Sequence, residues 1–504
     1  MGVGGSVGAG IFVIFGTAVQ PTGPAVSVSF FLASFASVFS ALCYAELAAR
    51  IPISGSVYIY AYAAFGELLA LLVGVNFMVD NHFSAALSIM SCANYLRGTV
   101  ASEFSPGYFP SCLVLSLLFA VLLTGVLSVG VESGLKKANA LLVFGKLTIV
   151  LIIIGMGSTK MHPENLLPFA PYGVMPVIST TSTCTYAFIG FGTVASAAEE
   201  CVNPRRDLPI GIIVSLLICA CLYVAFAIVL CGIVPFREIS VEAPVVDAFG
   251  PKYANIPAVD ALVDWGSVLG LLTTVLVGMY SQARVYLAMA RDGLICSFFK
   301  RVSPSFGTPM RAQVLCGVLA AALLCCVPVK RIVRFLNIGT LSSYSVVCAG
   351  VLALRAERPG AAARASGMVL AVSTLASAVS SHAGPLFGTA LLALVLLSWL
   401  PLLWQRYTVP LTFACPLCPL LPLLGITING YMLSQCPWEA WLRLAVVTAV
   451  VCGLYVPHAL RAVDSNDNSP APEDSVSSSI IIEACAAGAP GAAAGAQVRH
   501  SATL

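Results

Sequence analysis

Fourteen apolar runs, most of them longer than 17 residues, constrain the fold of this sequence more than any other feature. A helix that crosses a lipid bilayer needs roughly 20 apolar residues, and it satisfies its backbone hydrogen bonds within its own segment. Runs of this length are too long for buried strands. We therefore predict an all-α polytopic membrane protein with about 14 transmembrane helices.

The charged fraction supports the same class of protein. Only 9% of residues are charged, against roughly 25% in soluble domains. So few charges cannot solvate the surface of a 504-residue globular enzyme, and 59% hydrophobic residues exclude a disordered chain. The net charge of +3 does not indicate nucleic-acid binding. The predicted spans are 3–20, 24–47, 67–95, 110–130, 137–157, 173–197, 209–234, 262–290, 312–328, 332–354, 367–381, 384–404, 408–433 and 441–460.

The first run opens with a glycine-rich motif, Gly2-Val-Gly-Gly-Ser-Val-Gly-Ala-Gly-Ile11, in which five of ten residues are glycine. Each glycine lowers helix propensity by about 1 kcal/mol, so we predict that this helix breaks at membrane depth. Broken helices are tolerated there where they line a cavity, and their free N–H and C=O groups suit a zwitterionic amino acid. The alternative is close packing of helices through small residues.

A second break is predicted in the sixth run, at Tyr186-Ala-Phe-Ile-Gly-Phe-Gly192. The two interrupted runs are five apart in order, which is the expected spacing in a pair of five-helix inverted repeats. We therefore predict a 5+5 inverted-repeat core with broken helices 1 and 6. The binding site should lie where the two breaks meet.

Two ionisable residues lie in the middle of apolar runs, where charged groups are costly and mark functional sites. Lys146 could carry a proton, or its ammonium could replace a sodium ion by bonding backbone carbonyls. A lysine that extends to the membrane surface is the alternative. Asp80 could face a cationic side chain of a substrate, and it could equally pair with His82 or with another helix.

Catalytic, metal and cofactor chemistry is not indicated by the sequence. Gly4-x-Ser6-x-Gly8 matches a hydrolase nucleophile motif, but that motif requires a preceding strand and a histidine–acid pair. Cys415-Pro-Leu-Cys418 has the spacing of metal ligands without a second pair. The chain has no Gly-x4-Gly-Lys-Ser/Thr loop for binding a nucleotide. We expect no enzymatic activity, no metal and no cofactor.

Five blocks together resemble the cationic amino acid transporter family, in its plant-type branch, within the amino acid–polyamine–organocation superfamily. The resemblance reaches along nearly the whole chain, to about residue 460. The blocks are Gly2–Phe12, Ala41–Tyr58, Tyr186–Pro209, Gly278–Leu294 and Asn337–Ser345.

The resemblance implies a secondary active transporter of amino acids, usually cationic ones, that is coupled to protons or works by exchange. It implies that the backbone of the first break binds the substrate carboxylate, while carbonyls of the sixth helix bind its amino group beneath a Tyr186 gate. Lys146 matches the family lysine that replaces a sodium ion and links transport to protons. The implied substrate-binding residues are Gly5, Ser6, Val7, Gly8, Ala9, Gly10, Tyr186, Ala187 and Ile189, with Asp80 as the candidate receptor for a cationic side chain.

This sequence departs from the family pattern in two places. Many relatives have Asp where this chain has Gly192, so Asp80 is the remaining acid that could attract a cationic side chain. A neutral amino acid transporter of the same fold and a non-transporting amino acid sensor are therefore the alternatives. Relatives also carry several dozen residues before the glycine-rich motif, so we expect the first half of helix one to be missing here.

The chain should divide into three regions. We expect a transporter core with its connecting helices over residues 1–404, two further transmembrane helices over 405–463 and a disordered cytosolic tail over 464–504. With the N-terminus inside, inner segments hold 15 basic residues and outer segments hold eight, among them Arg443. The expected partners are an amino acid, the lipid bilayer and protons, with no nucleic acid. The membrane is the plasma membrane or an endomembrane of vacuolar or Golgi type.

Overall fold

The computed structural model describes residues 1–8, 10–103, 111–129, 134–241, 244–250, 252–253, 257–303, 307–327, 329–380 and 385–466. Within these residues the fold is helical throughout, with no β-strand and one isolated bridge between Ala356 and Tyr407. The prediction of an all-α fold is confirmed. From residue 467 onward, the predicted tail lies outside the described residues.

The helices up to the second predicted break vary from five to 37 residues in length. They are α1 (Gly2–Ser6), α2 (Phe15–Thr22), α3 (Val26–Arg50), α4 (Val57–Phe65), α5 (Glu67–Glu103), α6 (Cys112–Val129), α7 (Gly134–Ser158), α8 (Val174–Cys184) and α9 (Gly190–Ala195). The helices after it are α10 (Pro204–Ile233), α11 (Pro244–Phe249), α12 (Pro257–Arg291), α13 (Met310–Cys326), α14 (Val329–Phe335), α15 (Ile338–Arg355), α16 (Pro359–Ser380), α17 (Pro385–Ser398), α18 (Leu400–Leu403), α19 (Leu420–Ser434) and α20 (Trp438–Asn466).

Eight helical stretches in the described part of the chain are long and apolar enough to cross a membrane, judged by length and composition. They are Gly2–Arg50, Glu67–Arg97, Leu141–Ser158, Pro204–Ile233, Trp265–Arg291, Arg331–Arg355, Pro359–Val379 and Trp438–Tyr455. Shorter apolar helices occur at Cys112–Ser128, Met310–Cys326, Thr389–Leu403 and Leu420–Ser434. Every predicted span coincides with helix over at least part of its length, and the total of 14 crossings stays a prediction.

The outer helices expose large apolar side chains. Val121 in α6 is 71% exposed, and Leu141 and Phe144 in α7 are 74% and 71% exposed. Contiguous apolar surface of this kind is rare on soluble monomeric proteins and marks a surface that is covered by something other than water. Lipid tails cover such a surface without penalty, which agrees with the membrane fold.

The inner helices pack in pairs that are five predicted spans apart. α3 packs against α10, α5 against α12 and α6 against α13, and the short helix α1 packs against α9. In the numbering of the predicted spans, these pairs are two with seven, three with eight, four with nine and one with six. Two five-helix repeats related by a two-fold axis would bring equivalent helices together in this way, in agreement with the predicted 5+5 core.

Two stretches differ from the prediction. The helix at Val57–Phe65 has nine residues and is largely buried, so a search for long apolar runs misses it. The predicted run 408–433 becomes helical only at Leu420. Pro416 and Pro419 explain the late start, because proline disfavours helical backbone at the residue before it and lacks an N–H donor.

Candidate functional site

The first helix is interrupted inside the glycine-rich motif. α1 ends at Ser6, Val7 is extended (φ −73°, ψ 105°), and a π-helical turn runs from Gly10 to Ile14. Within this turn, the Ile11 and Phe12 N–H groups donate to Gly8 O at 3.1 and 2.9 Å, so the backbone folds back on the glycine-rich motif at the interruption. Ala9, predicted as part of the same site, lies outside the described residues.

The sixth predicted run is interrupted in a similar way. α8 ends at Cys184, one 3-10 turn covers Thr185–Phe188, and α9 begins at Gly190. A 3-10 turn in the middle of a helix is wound more tightly than the flanking turns and often marks a functional hinge. Both interruptions therefore occur at the motifs from which they were predicted.

The three carbonyls predicted to bind an amino group accept hydrogen bonds within the protein. Tyr186 O accepts from Ile189 N at 3.3 Å, and Ile189 O accepts from Gly192 N at 3.0 Å. Ala187 O accepts from the Tyr223 hydroxyl at 2.9 Å. A carbonyl oxygen has two lone pairs, so one hydrogen bond within the protein does not by itself prevent such a carbonyl from accepting from a ligand.

The two breaks touch each other. A Cβ atom added at Gly190 would lie 2.2 Å from Ser6 Oγ and 2.3 Å from Ser6 N. A Cβ atom added at Gly10 would lie 2.5 Å from the Cβ of Ala187. Since carbon atoms do not approach other atoms so closely, both positions require glycine. The structure therefore brings Ser6 and Gly10 of the first break against the second break.

Lys146 reaches the end of α1 from α7. Its Nζ donates to Gly4 O at 2.6 Å and to Val7 O at 2.7 Å, and it lies 2.9 Å from Thr273 Oγ1. The side chain is 1% exposed, so it does not extend to the membrane surface. The ammonium bonds backbone carbonyls at the first break, which is the arrangement that the sodium-replacement hypothesis requires.

Sequence reasoning missed the hydroxyls that α12 supplies to this site. Besides Thr273, the Thr274 Oγ1 lies 3.2 Å from the Val7 carbonyl. A Cβ atom at Gly8 would lie 2.0 Å from the same Thr274 oxygen, so α12 packs directly on the break. Two adjacent threonines inside an apolar run were the available signal, but Val7 lies 267 positions before Thr274, and their contact could not be read from the sequence.

Tyr186, the predicted gate, lies on the 3-10 turn of the second break. Its ring is 5% exposed and its hydroxyl is 2.5 Å from Ser84 Oγ of α5. This hydrogen bond ties the second break to α5. The gating role itself stays a prediction.

Asp80 pairs with other helices. Its Oδ2 accepts from the Thr340 N–H at 2.6 Å and from the Thr340 hydroxyl at 3.0 Å, at the start of α15. The carboxylate also forms an ion pair with Arg443 of α20, and both side chains are buried. His82, the other partner considered, bonds the Tyr286 hydroxyl at 2.9 Å. The arrangement is therefore the interhelical pairing that the sequence left open.

The structure corrects the placement of Arg443. The distribution of basic residues assigned it to an outer segment, whereas it lies within α20 and is 9% exposed. A buried guanidinium is costly unless a carboxylate pairs with it, and Asp80 provides that carboxylate. The error arose because basic residues near the end of an apolar run look like loop residues until their partner is known.

An all-helical membrane core with two broken helices in contact is the architecture of a secondary transporter for small molecules. Comparison with protein families agrees. A family model described as amino acid permease matches residues 1–416, and a second, the C-terminus of AA_permease, matches residues 413–462. The chain belongs to the amino acid permease family and is an integral membrane protein.

The names of individual relatives state different transported molecules. Cationic amino acid transporter 9, chloroplastic, of Arabidopsis thaliana is 36% identical over 94% of this chain and 89% of its own length. The methylthioribose transporter and a branched-chain amino acid permease, both of Bacillus subtilis (strain 168), are each 35% identical over 71% of this chain and 80% of their own length. The resemblance to cationic amino acid transporters is confirmed. Because the three sequence identities are nearly equal, they do not indicate which class of side chain the transported molecule has.

Proposed function

We propose that this chain is a secondary transporter that moves amino acids across a membrane, and that it is not an enzyme. Membership of the amino acid permease family supports transport. The substrate carboxylate would bind the backbone of the first break, and the substrate ammonium would bind carbonyls of the second. The residues assigned to substrate binding are Gly5, Ser6, Val7, Gly8, Gly10, Tyr186, Ala187 and Ile189.

The observation that carries the proposal is the position of the Lys146 ammonium. Two carbonyls and one hydroxyl surround it at 2.6–2.9 Å, as oxygens would surround a metal cation. Loss of the lysine proton would replace charge-assisted hydrogen bonds by weaker neutral ones. Protonation would then be linked to how firmly α1 is held at the break. This linkage is the basis on which we assign Lys146 the role of coupling residue, with protons as the coupling ion.

The test is uptake of labelled leucine, glutamine, glutamate, lysine and arginine into proteoliposomes, with and without an inward proton gradient. We expect accumulation that the gradient drives. Lys146→Ala should lower gradient-driven uptake by at least about tenfold, because a hydrogen bond to a charged group contributes about 1.5–3 kcal/mol. The matched control is Thr148→Ala on the same helix, whose exposed hydroxyl bonds only its own helix at Phe144 O.

Two results would contradict this proposal. Saturable binding of amino acids without accumulation in any gradient would exclude transport and favour an amino acid sensor. Uptake by Lys146→Ala at the wild-type rate and with the wild-type pH dependence would leave transport intact and exclude the coupling role of the lysine.

A further inference from the structure

We infer that the buried pair of Asp80 and Arg443 determines which amino acids this protein accepts: it selects those whose side chain has no positive charge. This inference rests on the proposed function, because it names the substrate class of the same site.

Asp80 lies next to the second break. Ser84 follows it by four residues on α5, so the two side chains lie on one face of the helix, about 6 Å apart along its axis. Ser84 bonds the hydroxyl of Tyr186 on the 3-10 turn at 2.5 Å. Asp80 thus lies about one helical turn from the side chain that holds the Tyr186 hydroxyl. It is therefore the acid in position to meet a substrate side chain.

Among the residues that the structure describes, only Asp80 and Glu46 are buried carboxylates. Both are already paired with an arginine of the same chain. Glu46 accepts from Arg355 Nε at 2.7 Å and from Arg355 Nη2 at 2.5 Å. Asp80 is paired with Arg443. Within the described core, no buried carboxylate is left to neutralise a cationic cargo.

Asp80 is also fixed in place on its other side. The Thr340 N–H and hydroxyl hold its Oδ2, and a Cβ atom at Gly339 would lie only 3.0 Å from the same oxygen. Arg443 is held against it by the covalent chain, which gives the guanidinium a high effective concentration at the carboxylate. A lysine or arginine substrate would have to displace this guanidinium and leave it buried without a partner.

The charge that remains in the core acts in the same direction. Lys146 is buried, and within the described part of the chain its ammonium bonds carbonyl and hydroxyl oxygens, with no carboxylate among them. The two arginine–carboxylate pairs are neutral overall, so the described core has a net positive charge next to the two breaks. A second positive charge on the substrate would be repelled there, whereas a neutral or acidic side chain would not be.

The experiment is a competition assay in proteoliposomes. Uptake of labelled leucine or glutamine is measured against increasing unlabelled leucine, glutamate, lysine or arginine. In the wild type we expect lysine and arginine to compete at least about tenfold more weakly than leucine itself. Arg443→Gln frees the Asp80 carboxylate and should lower the inhibition constants of lysine and arginine about tenfold, with little change for leucine.

Three further variants separate a change in selectivity from a loss of structure. Adding Asp80→Asn to Arg443→Gln removes the freed charge and should cancel the gain in lysine and arginine competition. Arg334→Gln is the matched control, since Arg334 is exposed and pairs with Glu439 of the same helix α20 at 3.0 Å. It should keep wild-type selectivity. If Arg443→Gln does not fold, Arg443→Lys keeps the positive charge and should exclude lysine and arginine as the wild type does.

The outcomes distinguish this inference from the proposed function. Wild-type uptake in which lysine or arginine is preferred over leucine would overturn the inference and leave amino acid transport standing. A gain of lysine competition that persists after Asp80→Asn would also overturn it. Absence of both uptake and binding for every amino acid would overturn the proposed function and this inference together.

Discussion

At the scale of single residues, the site depends on glycines at points where two pieces of backbone touch. Gly190 is the tightest such contact between the two breaks, since an added Cβ would meet both the hydroxyl and the backbone nitrogen of Ser6. A side chain can rotate away from a collision, but the backbone nitrogen cannot. Any larger residue at position 190 must therefore push the two broken helices apart.

We expect Gly190→Ala to lower the melting temperature in detergent and to abolish uptake. Overpacking of a core costs about 1–3 kcal/mol, and here the strain falls directly on the substrate site. The matched control is Gly278→Ala in α12, where an added Cβ would meet nothing within 4 Å. Alanine there should be neutral or stabilising by up to about 1 kcal/mol. Normal uptake by Gly190→Ala would mean that the two breaks do not need this contact.

At the scale of helices and loops, a buried ion pair joins α3, α15 and the loop before α19. Glu46 of α3 accepts both hydrogen bonds of the Arg355 fork, and its Oε2 also accepts from Cys415 N at 2.9 Å. Both side chains are buried. This carboxylate therefore ties the proline-rich loop to two helices of the core.

Glu46→Gln should destabilise the protein by about 3–5 kcal/mol, because it leaves the Arg355 guanidinium buried without a counter-charge. The readout is the melting temperature of the purified protein in detergent. Combining it with Arg355→Met should recover much of the loss. Glu439→Gln, which breaks the exposed pair with Arg334, should cost less than about 1 kcal/mol. Equal melting temperatures for Glu46→Gln and Glu439→Gln would show that burial does not strengthen the inner pair.

The helices and both breaks could be predicted from the sequence because their causes are local. Length and hydrophobicity determine which runs become helical, and clustered glycines weaken a helix wherever they occur. The contacts of Lys146 could be predicted for a related reason, because a buried ammonium must bond oxygen atoms and the breaks expose backbone carbonyls. The pairing of Arg443 with Asp80 could not be predicted, because Asp80 lies 363 positions earlier and the contact depends on how the helices pack.

At the scale of the whole molecule, equivalent helices of the two predicted repeats pack in pairs, with α1 against α9 at the breaks. This arrangement places the two breaks at the interface between the repeats. Relative motion of the repeats would therefore act directly on whatever is bound there.

An even number of crossings predicts that both chain termini lie on the same side of the membrane. The excess of basic residues, 15 inner against the seven outer ones that remain once Arg443 is placed within α20, predicts that this side is the cytosol. Epitope tags at the two ends should therefore be equally protected or equally exposed in sealed vesicles. Tags on opposite sides would require an odd number of crossings and would contradict the total of 14.

The location of Arg443 also has a consequence for engineering and for evolution. The backbone groups assigned to the zwitterionic end of the substrate belong to residues 5–10 and 186–189, whereas the guanidinium assigned to side-chain discrimination belongs to α20, near the other end of the chain. The two tasks can then vary separately. Exchanging α20 between members of this family should change what is carried while leaving the transport machinery untouched.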